Sequence, residues 1–600
     1  MEIRRRSVEA VVEVKAARYI VDFLIREGVT HVFEMAGGAI AHLLDAVDER
    51  EEIAAVPMRH EQAAAFAAEG YARVAGDVGV AMATSGPGAL NLLTGIGSCY
   101  FDSVPCLFLT GQVNTYEYKG DASVRQNGFQ ETDIVSVAAP LTKYAALVER
   151  ADRLRYELEK ALRIARSGRP GPVLLDIPMD VQRAEVDPAG MEAFDEGEQG
   201  DREEPTDEEV RRTVRLLRGA ARPIVLTGGG VRAAGAVPVL RGWLASAGIP
   251  VVCSLMGLDA VEAAYEWNMG LIGSYGHRYA NMALANCDCL LVLGSRLDTR
   301  QTGTRPKTFA RGAKIIHVDI DASELGRKIR PELAVRAHLR PFLEKLSERW
   351  VAKPPSGDWS AWKERLSFYR RSYPTGKPQA EGGAIEPNRL MERLARETPD
   401  DAIVCLDVGQ HQMWASQSWP VGPRGRLLNA GGMGAMGFGL PAAIGAAFAA
   451  PGRPIVLVAG DGGLQVNLQE LQTVVHWRLP IAMFVLNNRS LGMVRQFQDL
   501  YFGGRRASTV SGYSCPDFVK VARAYGLPAF RAADGEELEA RLQAGFRKNA
   551  EEPALLEIEL SPAADVLPKL GVGRPIEDME PLLERAELRR QMIVPPLDDD

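Results

Sequence analysis

Short runs of residues that are apolar at every position recur along the chain and alternate with segments of helical periodicity. This alternation restricts the fold more than any other feature. From residue 14 to about 190, helical patterns at 16–25 and 62–74 are interleaved with apolar runs at 78–83, 105–109 and 173–177. A strand with one face in water alternates apolar and polar residues, whereas a continuously apolar run suits a parallel sheet covered by helices on both faces. The pattern stops between Glu192 and Glu209, where EAFDEGEQGDREEPTDEE is acidic and aperiodic and reads as a solvated linker.

Two further blocks repeat the pattern. The second carries apolar runs at 223–226, 250–252, 289–293 and 314–318, and the third at 402–406, 454–458, 481–486 and 554–558. Between them, KPPSGDW and YPTGKPQAEGG mark a second linker. The expected architecture is α/β, with three domains, each a mostly parallel sheet flanked by helices. The boundaries are 1–191, an acidic linker at 192–209, a central domain at 210–352, a linker at 353–384 and a third domain at 385–600. The similar sizes of the first and third blocks hint at a duplicated unit.

Charge excludes some partners. Seventy basic against 78 acidic residues leave a net charge of -8, which offers no electrostatic footprint for nucleic acid or an anionic membrane. The start, MEIRRRSVEAVVEVK, lacks an apolar core of signal-peptide length, and no stretch of about 18 apolar residues occurs, so the expectation is a cytoplasmic protein. The seven cysteines form no CxxC pair, and Cys287 and Cys289 read as small buried hydrophobes.

Glycine is in surplus, at 59 of 600 residues, which directs attention to places where backbone turns sharply or approaches a ligand. The sharpest cluster is Gly460-Asp461-Gly462-Gly463, directly after the run PIVLVA, with Asn487-Asn488 following IAMFVL. An Asp and an Asn that end neighbouring parallel strands lie side by side at the carboxyl edge of the sheet, where ligands bind in such folds. They offer hard oxygen ligands suited to Mg²⁺ that phosphate oxygens also hold. Each of the two motifs alone is an ordinary turn. Together, at this spacing, they match the thiamine-diphosphate signature.

With these motifs the chain resembles the acetolactate synthase group of thiamine-diphosphate enzymes, from Lys15 to about Leu570. The resemblance implies a thiamine-diphosphate-binding fold with a Rossmann-like central domain. It assigns Asp461, Asn488 and the backbone carbonyl of Ser490 to Mg²⁺, with Gly462 and Gly463 near the phosphates. GQHQMWASQSW at 409–419 is similar to the diphosphate-side loop and implies cofactor roles for Gly409, Gln410 and His411. GGMGAMGFGLPAAIGAA at 431–447 is similar to the cofactor-shaping segment, with Met436 as an apolar wedge and the Gly434 carbonyl available to the aminopyrimidine.

In the first block, a Glu that opens a helix is usually a dipole partner. Glu61, however, lies in RHEQAAAFAAEGYAR, which resembles the catalytic-glutamate segment of the family. That resemblance implies a carboxylic acid hydrogen-bonded to the aminopyrimidine, set in an apolar pocket that raises its pKa, to drive loss of the proton at the thiazolium C2. TSGPGALNLLTGI at 84–96 and GFQET at 128–132 also match. They imply Gln130 as a donor to substrate oxygens and Phe129 as a substrate contact, and Gly38, in the glycine pair at 37–38, is an expected cofactor contact.

In the middle block, Gly228-Gly229-Gly230 follows IVLT without fitting GxGxxG. The resemblance implies an FAD site there, with a structural flavin held by Arg296, Asp298, Arg300, Asp319 and Glu324. The chain departs from the family pattern at Ala337-His338, where Gly-Asp is expected, and at Tyr275, where a His is expected. An empty inherited pocket or another nucleotide stands as the alternative.

On the substrate side, the resemblance points to Met493 and Phe497. GMVRQF places Phe497 where the family usually has Trp, Arg125 is the available cation before FQET, and the tail from Leu567 differs from the usual biosynthetic ending. The expected reaction is decarboxylation of a 2-oxo acid, pyruvate in the first instance, and transfer of the two-carbon unit to a ketone. One alternative is a relative that uses a larger acceptor such as a keto-sugar. Another is a non-catalytic cofactor-binding homologue. In the family the Glu and the metal site come from different subunits, so the resemblance implies a homodimer or homotetramer; a regulatory subunit is left open.

Overall fold

A computed structural model describes residues 13–195, 204–351, 358–376, 384–544 and 551–597. The chain forms two compact units, 1–199 and 200–600. The first holds one six-stranded sheet in the order Ala54–Pro57, His31–Met35, Gly79–Ala83, Cys106–Gln112, Val173–Pro178, Tyr144–Leu147, with every neighbouring pair parallel. Numbered along the chain within the sheet, the order is 2-1-3-4-6-5.

The second unit holds two more parallel sheets. The central one runs Asn268–Leu271, Val251–Cys253, Pro223–Thr227, Cys289–Leu293, Lys314–Asp319, Leu333–Arg336. Its order is 3-2-1-4-5-6, the doubly wound arrangement in which dinucleotides bind at the switch point between strands 1 and 4. The last sheet runs Arg426–Asn429, Ile403–Leu406, Ile455–Gly460, Ile481–Asn487, Ala554–Glu559, Ala529–Ala532. Its order is again 2-1-3-4-6-5, so the first and third sheets share one topology.

Local chemistry sets the helix that carries Glu61. The ring of His60 accepts from the Gln62 amide at 3.1 Å and caps the start of Glu61–Ala75. Gly76, at φ 77°, ends it in the left-handed conformation. Between them, six of the eleven buried residues are alanine, which lets the helix lie close to the sheet; a Cβ on Gly79 would overlap the Ala68 carbonyl.

Three segments differ from the expected linkers and boundaries. The stretch 353–384 contains the helix Ser360–Ser372, whose Trp362, Leu366 and Tyr369 are buried in the core of the central sheet. Each such side chain contributes about 2 kcal/mol of burial. The proline- and glycine-rich peptides on either side, 352–357 and 377–383, fall outside the described residues. The acidic linker 192–209 lies partly outside them as well, and its end forms a capping box, in which Thr206 and Glu209 start the helix Asp207–Arg218. The tail placed in the third domain returns to the central one. Arg278 donates to the carbonyls of Met579 and Pro581, and Asn286 Oδ1 accepts from Ile593 and Val594.

Candidate active site

In the third sheet, Asp461 begins the helix Asp461–Val466 directly after the strand Ile455–Gly460. Gly460 is in register with Leu486 on the neighbouring strand, so Asp461 and Asn488 project from the same carboxyl edge. Asp461 is buried, and burial pushes its carboxyl up to about 6 against hydrogen bonds from Tyr513 and the backbone. The Tyr513 hydroxyl donates to Asp461 Oδ2 at 2.9 Å. Asn488 donates through Nδ2 to Gln410 Oε1 at 2.8 Å, and Ser490 Oγ donates to Asn488 Oδ1 at 3.1 Å. This orientation turns the amide oxygen of Asn488 to the Ser490 side.

The expected role of Gln410 is refined by this network. Its side chain is spent on Asn488 and on the Ala564 carbonyl, which accepts from Nε2 at 2.9 Å. Gln410 therefore orients a metal-ligand candidate, while its backbone amide, first in the helix Gln410–Ser418, remains an anion donor. A Cβ on Gly492 would overlap Gln410 Oε1, so glycine is required there.

His411 lies between two glycines. A Cβ on Gly409 would stand 2.6 Å from its ring, and one on Gly460 would stand 2.7 Å from Nδ1. Burial lowers its pKa to about 4, a backbone hydrogen bond to Asp407 acting in the opposite direction, and Nε2 is buried with no partner. An orphaned ring nitrogen beside a helix N-terminus and an Asp/Asn pair is a cradle short of one anionic group.

Asp407, which the sequence analysis did not single out, organises the loop above this cradle. It is buried and accepts the amides of Val408, Gly437 and Gly439 at 2.6, 3.0 and 2.9 Å. Burial nevertheless leaves its carboxyl raised to about 6. A Cβ on Gly463 would overlap its Oδ1. The Gly434 and Gly437 turns at φ 68° and 85° follow, and they bring half-buried Met436 to within 3.3 Å of a Cβ built on Gly462. The available signal was an Asp immediately after the run IVCL, in the same strand-end position as Asp461.

The first unit brings together Glu61, Asn91, Gly86, Gly88 and Gln130. Glu61 is buried at the head of its helix, and Asn91 Nδ2 donates to its Oε2 at 2.9 Å. A Cβ on Gly88 would approach Oε1 to 3.3 Å, so glycine keeps that oxygen clear. Gly86, at φ 62°, packs under Gln130, whose own φ of 65° is a strained conformation for a residue with a side chain. Phe129 is 85% exposed. A Cβ on Gly37 would overlap Thr84, whereas one on Gly38 meets nothing within 4 Å, so close packing demands glycine at 37 rather than 38.

Glu131 holds the loop that presents Phe129 and Gln130. Its carboxylate accepts the amides of Lys119, Asn127 and Gly128 at 2.8, 2.8 and 3.1 Å. Burial opposes the charge, but these donors hold its pKa below the ordinary 4.5. A depressed carboxylate stabilises the fold fully above 4.5 and loses that contribution as pH falls through its folded value. Glu131→Ala is expected to speed amide exchange in 119–131 at least tenfold at neutral pH, and to bring the wild type and the variant together in acid. Equal exchange at neutral pH would contradict this anchoring role.

At the central switch point, Gly228 and Gly230 pack directly on Gly294, and a Cβ on Gly229 would meet Met256 at 3.1 Å. These glycines join two crossover loops. Arg296, Asp298 and Arg300 follow the strand Cys289–Leu293, Asp319 ends the strand Lys314–Asp319, and Glu324 follows it. Asp298 caps the next helix through the Arg300 amide at 2.9 Å, and Glu324 pairs with Lys328 at 3.1 Å. Among the described residues, the guanidinium groups of Arg296 and Arg300 have no hydrogen-bond or ion-pair partner. Of the two substrate-contact candidates, Met493 packs on the third-domain core, and exposed Phe497 contacts Tyr501 with ring centroids 4.6 Å apart. A cavity of about 440 Å³ lined by Thr398, Asp400, Ala402 and Trp419 lies at the amino edge of the third sheet, away from this chemistry.

Comparison with known proteins agrees with the geometry. Residues 14–137, 210–346 and 407–558 match the N-terminal TPP binding, central and C-terminal TPP binding domain models of the thiamine pyrophosphate enzymes. The acetolactate synthase large subunit of Lactococcus lactis is 36% identical over 556 residues, which cover 92% of this chain and 93% of the relative. The isozyme 3 large subunit of Escherichia coli is 37% identical, covering 88% and 91%. The large subunit of Corynebacterium glutamicum is 38% identical, covering 92% and 87%.

Proposed function

Since the chain belongs to the thiamine pyrophosphate enzymes, in the family of the acetolactate synthase large subunits, we propose that it decarboxylates pyruvate and ligates the remaining two-carbon unit to a second 2-oxo acid. With pyruvate in both roles, two pyruvate anions and one proton give one acetolactate anion and one CO₂. The observation that carries this reading is the cradle around His411, with its unpaired Nε2 beside Asp461 and Asn488. Its donor set suits a diphosphate and a hard cation. The keto-sugar acceptor is a second reading. The intact Glu61 and Asp461–Asn488 sets weigh against a non-catalytic homologue.

The residues divide the work. Asp461, the amide oxygen of Asn488 and the carbonyl of Ser490 would hold Mg²⁺, and His411 with the first amides of Gln410–Ser418 would meet the diphosphate. Met436 would support the cofactor from below, and Asp407 would keep the loop that carries it in place. When bound, thiamine diphosphate supplies the electron sink that lets a 2-oxo acid lose CO₂. Glu61, oriented by Asn91, would hold the proton shared with the aminopyrimidine, and Gln130 would donate to substrate oxygens. Arg296 and Arg300 at the switch point suit FAD, and a flavin absorption spectrum on the purified protein tests that assignment.

We further propose a cytoplasmic homodimer in which Glu61 of one copy serves the metal cradle of the other. Among the described residues no helix is long and apolar enough to cross a membrane. Mixing the inactive Glu61→Gln and Asp461→Ala proteins under exchange is expected to restore about a quarter of wild-type activity, because each mixed dimer keeps one whole site. No recovery despite demonstrated exchange would refute the shared site. The function itself is tested by incubation with pyruvate, thiamine diphosphate and Mg²⁺. Acetolactate supports it, CO₂ released slowly without ligation favours a different acceptor, and no CO₂ overturns it.

A further inference from the structure

The helix Gly492–Tyr501 follows Asn488 and buries two of its polar side chains, Arg495 and Gln496. Both reach the peptide 564–566. Gln496 grips Val566 by both backbone groups: the Val566 amide donates to Oε1 at 3.0 Å, and Nε2 donates to the Val566 carbonyl at 2.9 Å. Arg495 donates to the Ala564 carbonyl and pairs with Asp565 at 2.8 Å. From the helix Gln410–Ser418, the Trp414 indole donates to the Asp565 carbonyl at 3.3 Å.

The same network runs on to the metal cradle. Gln410 Nε2 donates to Gln496 Oε1 at 3.3 Å as well as to the Ala564 carbonyl at 2.9 Å, and Gln410 Oε1 accepts from Asn488 Nδ2 at 2.8 Å. Val566, Gln496, Gln410 and Asn488 are each no more than 5% exposed, so water replaces a bond lost here poorly.

This chain of bonds has one polarity. A backbone N–H only donates and a C=O only accepts, whereas a carboxamide does either, according to which way it is turned. Val566 presents one group of each kind to Gln496, which fixes the Gln496 oxygen toward the Val566 amide and Gln410. Gln410 then faces two acceptors, so it offers Nε2 to them and Oε1 to Asn488. Asn488 in turn offers Nδ2, which leaves Oδ1 on the side of Ser490, whose hydroxyl donates to it at 3.1 Å. A hard cation binds that oxygen and would be repelled by the amide NH₂.

We propose that Gln496 is a positioning residue for the metal site, which relays the polarity of the Val566 peptide through Gln410 to Asn488 and so commits the Asn488 amide oxygen to the cation. This rests on the assignment of Mg²⁺ and thiamine diphosphate to the cradle. Gln496 acts through Gln410 rather than on the cofactor.

Fluorescence titration of the full-length apoprotein with thiamine diphosphate, with either Mg²⁺ or Ca²⁺ as the sole divalent ion, tests the relay without turnover. Mg²⁺ demands near-ideal octahedral geometry, while Ca²⁺ accepts irregular sets of oxygens. Gln496→Met keeps the length of the side chain and removes its polar contacts. It is expected to weaken Mg²⁺-supported binding about tenfold, as for a residue that orients a metal ligand, and Ca²⁺-supported binding by less than about threefold. In a Gln410→Met background the same substitution is expected to add less than about twofold to the Mg²⁺ loss, because two members of one relay do not act independently. Equal losses with the two ions, no loss with Mg²⁺, or losses that multiply in the double variant would overturn the proposal. Should circular dichroism show Gln496→Met unfolded, Gln496→Asn, one methylene too short to span Val566 and Gln410 together, is read by the same ratio and the same limits. A wild type that binds no thiamine diphosphate with either ion refutes the cofactor assignment itself, whereas wild-type binding with an unchanged ion ratio in the variant refutes Gln496 alone.

Discussion

Glu61→Gln is expected to lower turnover by about 10²–10⁴-fold while leaving cofactor affinity near that of the wild type, because it removes one proton-holding group from a site whose shape it preserves. The amide is isosteric with the carboxyl, and Asn91 Nδ2, now 2.9 Å from Glu61 Oε2, can donate to the amide oxygen in the same place. The clearance above Gly88 is unchanged, so the helix Glu61–Ala75 has no reason to shift. Only the ability to exchange a proton is lost. Single-turnover decarboxylation beside a cofactor titration separates the two quantities, and wild-type rates in the variant would remove Glu61 from its assigned role.

Asp461→Ala is expected to weaken Mg²⁺-dependent binding of thiamine diphosphate by more than about 100-fold. Loss of a residue that merely orients a metal ligand already costs about 10–100-fold, and a direct ligand costs more. Asp461 is buried at the strand end beside Asn488, and Tyr513 at 2.9 Å from Oδ2 keeps its carboxylate in one orientation. The substitution also leaves the Tyr513 hydroxyl with Gln465 alone, at 3.2 Å. Fluorescence titration at fixed Mg²⁺, with circular dichroism to confirm the fold, checks the effect. Unchanged affinity would place the metal elsewhere.

The interior of each sheet was legible because an interior parallel strand is apolar throughout. The runs at 289–293, 481–486 and 554–558 coincide, to within a residue, with Cys289–Leu293, Ile481–Asn487 and Ala554–Glu559. In the three six-stranded sheets, such runs leave the six edge strands unmarked, among them Tyr144–Leu147, with no buried residue, and Ala54–Pro57, with one. An edge strand covered on fewer sides has no need of a continuous apolar run. The interior strand His31–Met35 escaped for another reason, since Glu34 interrupts its apolar run.

The site was legible where glycine and a carboxylate mark a strand end, as at Asp461. It was not legible where a residue acts through another. Asn91 and Glu131 lie inside the matching segments TSGPGALNLLTGI and GFQET, but nothing in those segments marks their roles, and Asp407 lies in none; the roles arise from contacts 30 residues away or from neighbouring backbone amides. The helix Ser360–Ser372 was hidden by prolines and glycines at both ends, although Trp362, Leu366 and Tyr369 share one face at helical spacing.

The most direct test is the stoichiometry of pyruvate consumption against CO₂ release by the purified protein with thiamine diphosphate and Mg²⁺. The account predicts two pyruvate consumed for each CO₂ released, with acetolactate equal to CO₂. One pyruvate per CO₂, with free acetaldehyde as product, would contradict it.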